Sequence, residues 1–163
     1  MSRILLVIDV QKQFKDNKGT YEKIEDFCKE HRAEYDIILP TVFQNNEDCN
    51  PNYIKHLRWR GCTEAAVIDS AIYPKNVFNL DLACVEVKHE YASDYIFKIA
   101  DKYDDIDIVG CDSDACVLAT AFKLWDSGYN FRILTEYVYT TAEDFNNETV
   151  IKIMRRNFGD CVI

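Results

Sequence analysis

Two rhythms of apolar and polar positions alternate along the chain. Arg3 to Ile8 carries an unbroken branched apolar run, the pattern of a strand covered on both faces. From Thr20 to about His31 the positions Tyr21, Ile24, Cys28 and His31 recur at helical spacing. They follow the turn formers Asn17-Lys18-Gly19 and predict a first crossover helix. Ile37 to Phe43 predicts a second strand, in which Pro40 removes one ladder donor. Residues 44–84 are rich in turn formers, with one helical turn expected around Tyr53 to Trp59, and a loop of that length usually covers a site.

A short strand is predicted at Val85 to Lys88. Ser93 then suits an N-cap for a helix with Ile96, Phe97, Ala100 and Tyr103 on one face. Ile106 to Val109 forms the next strand. After the turn Gly110-Cys111-Asp112-Ser113-Asp114-Ala115-Cys116 comes a helix whose stripe is Leu118, Phe122 and Trp125 and whose end is Gly128. Phe131 to Leu134 reads as a fifth strand. Thr141-x-x-Asp144 matches a capping box opening a last helix through Val150, Ile153 and Met154 to Gly159, and Cys161 to Ile163 suits a final edge strand.

Strands alternating with helices imply right-handed crossovers and a mostly parallel sheet between helices, a three-layer α/β/α fold. Length and the lack of a linker predict one domain over residues 1–163. In such sheets ligands bind beyond the carboxyl ends of the strands, so reactive side chains are sought there.

Composition narrows the function. A formal charge of −9 opposes the counterion release that drives nucleic-acid binding, so no nucleic-acid partner is expected. Asp9 interrupts the first apolar run far short of a signal sequence or a membrane span, which predicts a cytoplasmic protein with no membrane partner. The 7 cysteines are odd in number and include no C-x-x-C pair, as expected of reduced thiols, most of them small core residues.

Three reactive side chains meet the positional test. Asp9 ends the first strand, Lys88 the third, and Cys116 lies just past the fourth, in the first turn of a helix. Unpaired N–H groups there favour a thiolate, a carboxylate can take the thiol proton, and an ammonium can stabilise developing negative charge. The turn also offers the backbone amides of Asp112 and Cys116 as an oxyanion hole. Phe14 and Tyr91, with Trp59, are candidates to line a substrate pocket. Asp114 reads as a helix-start residue, and the run Asp101 to Asp107 as a solvated loop.

The segments Leu6-Val7-Ile8-Asp9-Val10-Gln11 with Phe14, Val87-Lys88, and Val109-Gly110-Cys111-Asp112-Ser113-Asp114-Ala115-Cys116-Val117 with Ala119-Thr120-Ala121 resemble the isochorismatase-like cysteine hydrolases, which include nicotinamidases. That resemblance implies a six-stranded parallel sheet in the order 3-2-1-4-5-6 and a catalytic triad of Asp9, Lys88 and Cys116. It also implies a non-proline cis peptide joining Cys111 to Asp112. The implied activity is hydrolysis of a small-molecule amide or imide C–N bond through a thioester, in a homo-oligomer (dimer or tetramer) needing no cofactor. Nicotinamidases carry an Asp-x-His metal motif after the second strand, whereas this chain reads Val42-Phe43-Gln44-Asn45-Asn46-Glu47-Asp48, so no metal is expected. Alternatives are ether cleavage of the isochorismatase type and a silent binding module on the same fold. A flavodoxin-like cofactor domain lacks its Gly-rich phosphate loop, since Val10-Gln11-Lys12-Gln13 follows strand one.

Overall fold

A computed structural model describes residues 1–16, 18–62, 86–144 and 146–163. The order of elements is β1 (Arg3–Ile8), α1 (Thr20–Glu30), β2 (Ile37–Phe43), α2 (Asn52–Lys55), β3 (Glu86–Lys88), α3 (Asp94–Ala100), β4 (Asp105–Gly110), α4 (Leu118–Asp126), β5 (Phe131–Val138) and α5 (Asn147–Phe158). The strands pair in parallel in the order β3-β2-β1-β4-β5. Among the described residues the sheet therefore has five strands, and the expected sixth is reduced to one parallel bridge, Ile133 to Val162. A 3-10 turn over Gly159–Cys161 consumes the residues that would have lengthened it.

Alternation along β1 divides the core. Ile4, Leu6 and Ile8 face one side, against Ile96 and Ala100 of α3, Ala121 and Leu124 of α4, and Val150, Met154 and Phe158 of α5. Leu5 and Val7 face the other, against Tyr21, Ile24, Phe27 and Cys28 of α1. Each such side chain taken from water stabilises the fold by about 1.5–3 kcal/mol, so the central strand is apolar on both faces. Pro40 is accommodated opposite Val7 of β1, and the ladder to β3 begins one residue later, at Thr41 opposite Glu86. Among the described residues no helix is long and apolar enough to cross a membrane.

Several local expectations are corrected. The last helix opens at Asn147, not in the Thr141-x-x-Asp144 stretch, because the Asn146 side chain accepts from Glu148 N while the Thr141 N–H turns to Asp112. On α4 the buried face is Thr120, Ala121 and Leu124. Phe122 and Trp125 stand at its rim, packed on Phe158. The helical turn after β2 spans only Asn52–Lys55, and β5 runs on to Val138. Asp107 lies within β4, not in a solvated loop: its buried carboxylate accepts from Arg3, Arg132 and Tyr35. Cys84, Tyr73-Pro74, Asn17 and the first residue of the predicted third strand lie outside the described residues.

Candidate active site

The three carboxyl-terminal strand positions converge. β1, β2 and β3 lie side by side, so Asp9, Thr41 and Lys88 emerge together at one end of the sheet, and β4 delivers the turn bearing Cys116 beside them. Gly110 makes this approach possible. Its φ is +124°, and a Cβ there would fall 2.1 Å from the Ile8 carbonyl oxygen, so no side chain fits between β4 and β1.

After Gly110 the Cys111–Asp112 peptide is cis, as the resemblance implied. A π-helical turn follows over Ser113–Val117, closed by Val117 N donating to Asp112 O at 3.1 Å. Cys116 sits in that wide turn rather than in an α-helical first turn. Ser113, fully buried, donates to Asn147 Oδ1 at 2.6 Å and ties the turn to the start of α5.

Lys88 Nζ lies 2.6 Å from Asp9 Oδ2, as an ion pair without the alignment of a directed hydrogen bond. It donates to Cys116 Sγ at 3.3 Å and to the carbonyls of Glu90 and Tyr91 at 2.9 and 3.2 Å. Burial disfavours the Lys88 charge, but the Asp9 carboxylate and the Cys116 sulfur outweigh it and hold the ammonium well above the usual lysine range. Asp9 has φ +49°, a left-handed conformation that aspartate tolerates better than most residues. Thr41, which sequence reasoning missed, donates its hydroxyl to Asp9 Oδ1 at 2.7 Å and accepts from Asp9 N at 3.1 Å. An isolated threonine in a strand carries no signal of such a role until the pairing of β2 with β1 brings its hydroxyl to the carboxylate.

Burial and charge act against the N–H groups of the turn at Cys116. Burial first, and then the negative charge of Asp9, push the Cys116 thiol well above its ordinary range, with Lys88 opposing them. These surroundings favour the thiol form over the thiolate.

The sulfur opens into a cavity of about 470 Å³ walled by Phe14, Phe43, Tyr53, Trp59 and Tyr91, with Asp112, Thr141 and Cys62 also lining it. Phe14 and Tyr91 thus stand where a ligand would. The amides of Asp112 and Cys116 belong to residues on the same wall. Asp114 lies in the π turn outside this lining, with Oδ1 buried and without a hydrogen-bond partner among the described residues.

The segment after β2 does not fit a metal. Asn45 N–H donates to Cys62 O and its side-chain amide to Trp59 O, and His89 Nδ1 contacts Gln44 O. Among the described residues no group of three or more His, Cys, Asp or Glu could hold an ion. His31, His56 and His89 belong to no such group.

Comparison with known proteins agrees with this architecture. The isochorismatase domain matches residues 3–162, and the chain belongs to that family. Among solved structures, the nicotinamidase/pyrazinamidase of Bacillus subtilis superposes with a TM-score of 0.71 at 17% identity, covering 99% of both chains. The pyrazinamidase/nicotinamidase of Streptococcus mutans gives 0.70 at 19% identity, covering 99% of this chain and 100% of that one. An isochorismatase-like hydrolase of Alkaliphilus metalliredigens gives 0.72 at 14% identity, covering 96% and 92%. At these identities the likeness is one of fold. No curated protein matches the chain.

Proposed function

We propose that the protein is a cysteine hydrolase that cleaves the C–N bond of a small-molecule amide or imide. The observation that carries this reading is the meeting of Asp9 and Lys88 with Cys116, whose residue lines one cavity, supported by family membership and by neighbours named as nicotinamidases.

The chemistry follows from the geometry. As Cys116 Sγ bonds to the carbonyl carbon, the thiol proton passes to the Asp9 carboxylate, and the carbonyl oxygen gathers charge against the N–H groups of Asp112 and Cys116. Collapse breaks the C–N bond, and Asp9 returns the proton to the leaving nitrogen. Water then adds to the thioester, giving its proton to Asp9. The C–S bond breaks, the sulfur regains the proton and the acid departs. Lys88, anchored by two carbonyls, stabilises the negative charge that develops on the sulfur as its proton leaves and again as the C–S bond breaks. Phe14 and Tyr91 hold the substrate.

Screening small primary amides and imides, with Cys116→Ala as control, tests this. Turnover by the wild type and a loss of at least about 10³-fold in a variant of unchanged circular dichroism are expected. A folded Ala variant that kept the wild-type rate would remove the nucleophile.

A further inference from the structure

The cavity's charge does not match its immediate needs. Its described lining contains no lysine, arginine or histidine, and its one carboxylate is Asp112. Lys88 lies outside this lining, is buried, and is already engaged by Asp9. Among the described residues no cation lies within ion-pair distance of Asp112. Its carboxylate is hydrogen-bonded by Thr141, whose N–H donates to Oδ1 at 2.7 Å.

Burial raises the Asp112 carboxyl above its usual range, with the charges of Asp114 and Asp9 adding to the effect against the hydrogen bonds from Thr141. The Tyr91 phenol is raised by burial and then by Cys116, Asp114 and Asp112. Lys88 opposes this at Tyr91, but on the described lining itself Asp112 is the one charged side chain. A partly desolvated carboxylate without a counterion is costly, and a bound positive charge removes that cost. The same cavity is lined by the aromatic rings of Phe14, Phe43, Tyr53, Trp59 and Tyr91, and an aromatic face attracts cations.

From this lining the geometry points to a substrate whose acyl portion carries a positive charge, such as an ammonium or an N-alkylpyridinium carboxamide, with Asp112 as the specificity-determining residue. This rests on the hydrolase reading above and adds to it the charge of the ligand. Bound with its carbonyl carbon at Cys116 Sγ, such a ligand has its cation among Phe14, Trp59 and Tyr91, within the field of Asp112. An anionic substrate meets repulsion from the same group.

Three probes of one shape test the inference: 1-methylpyridinium-3-carboxamide, pyridine-3-carboxamide, and its 5-carboxylate. In the wild type kcat/KM falls in that order, the cation leading the neutral amide by about tenfold or more. In Asp112→Asn, which keeps an acceptor for Thr141 N, the ratio of cation to neutral falls to within about threefold. A ratio unchanged by the substitution, or a wild type that prefers the neutral or anionic probe, overturns the assignment. Calorimetric binding to Cys116→Ser separates the two readings. If the wild type turns over none of the probes but this variant binds them in the same order, the charge assignment stands and the hydrolase reading fails. If the variant binds none of them or binds them in another order, the assignment falls.

Discussion

Thr41 grips Asp9 from two directions, its hydroxyl donating to Oδ1 at 2.7 Å while accepting from the Asp9 N–H at 3.1 Å. One side chain thereby fixes both the left-handed backbone of Asp9 and the rotation of its carboxylate, leaving Oδ2 toward Lys88 and Cys116. Thr41→Val should lower kcat/KM by roughly 10- to 100-fold with KM little changed, and Thr41→Ser should restore most of it. Steady-state kinetics of both variants on a substrate found by the screen checks this. Equal losses in Val and Ser would mean that the methyl group's packing, not the hydroxyl, matters.

A thiol held neutral by burial and by Asp9 should be slow to alkylate. The rate of iodoacetamide labelling at Cys116, followed by mass spectrometry of the intact protein and its peptides, should still be rising at pH 9. A plateau reached below pH 8 would contradict the neutral resting state.

Buried thiols also govern stability in alkali. Burial pushes Cys28 up to about 12 and Cys62 up to about 11, so each keeps its proton in the folded protein where the unfolded thiol, titrating near 8.5, has lost it. For groups raised in this way the contribution is complete below the unfolded value and declines as pH rises. Unfolding free energies from urea titrations should therefore fall from about pH 8.5 toward 11, by up to about 1.4 kcal/mol per pH unit for each such thiol. Cys28→Ala should flatten that slope, at the cost of a small cavity.

Gly110→Ala should fail to fold or lose on the order of 3 kcal/mol or more, since its Cβ would meet backbone rather than a movable side chain. Thermal unfolding and soluble yield report it directly.

Asp107→Asn should destabilise by about 3 kcal/mol, because Arg3, Arg132 and Tyr35 all lean on that buried carboxylate. Turnover per folded molecule should stay unchanged, because Asp107 is near the start of β4 and the cavity is beyond its end.

Much of this was legible in the sequence, for reasons that differ by element. β1 was plain because a strand buried on both faces must be apolar throughout, and the three strand-end residues followed from the parallel topology. Ser93 was readable as a cap because its signal is local, and its side chain does accept from Tyr95 N. Thr41 and Asp107 were not readable, because their roles depend on cross-strand register: Asp107 sits between Leu5 of β1 and Arg132 of β5. The direction of the Cys116 shift is not legible, because a helix-start argument counts N–H dipoles and omits desolvation, the largest cause at this largely buried sulfur. On α4 the stripe was assigned one position off, since Phe122 and Trp125 rest on Phe158 instead of entering the core.

The wide turn over Ser113–Val117 also sets the phase of everything after it. Each residue rotates a helix by about 100°, so shortening this turn by one residue would swing Ala121 and Leu124 out of the core and bring their neighbours round in their place. The loop that presents the sulfur is thus also the clock that times the helix behind it, and its length can drift only if the whole packing of α4 is reset with it.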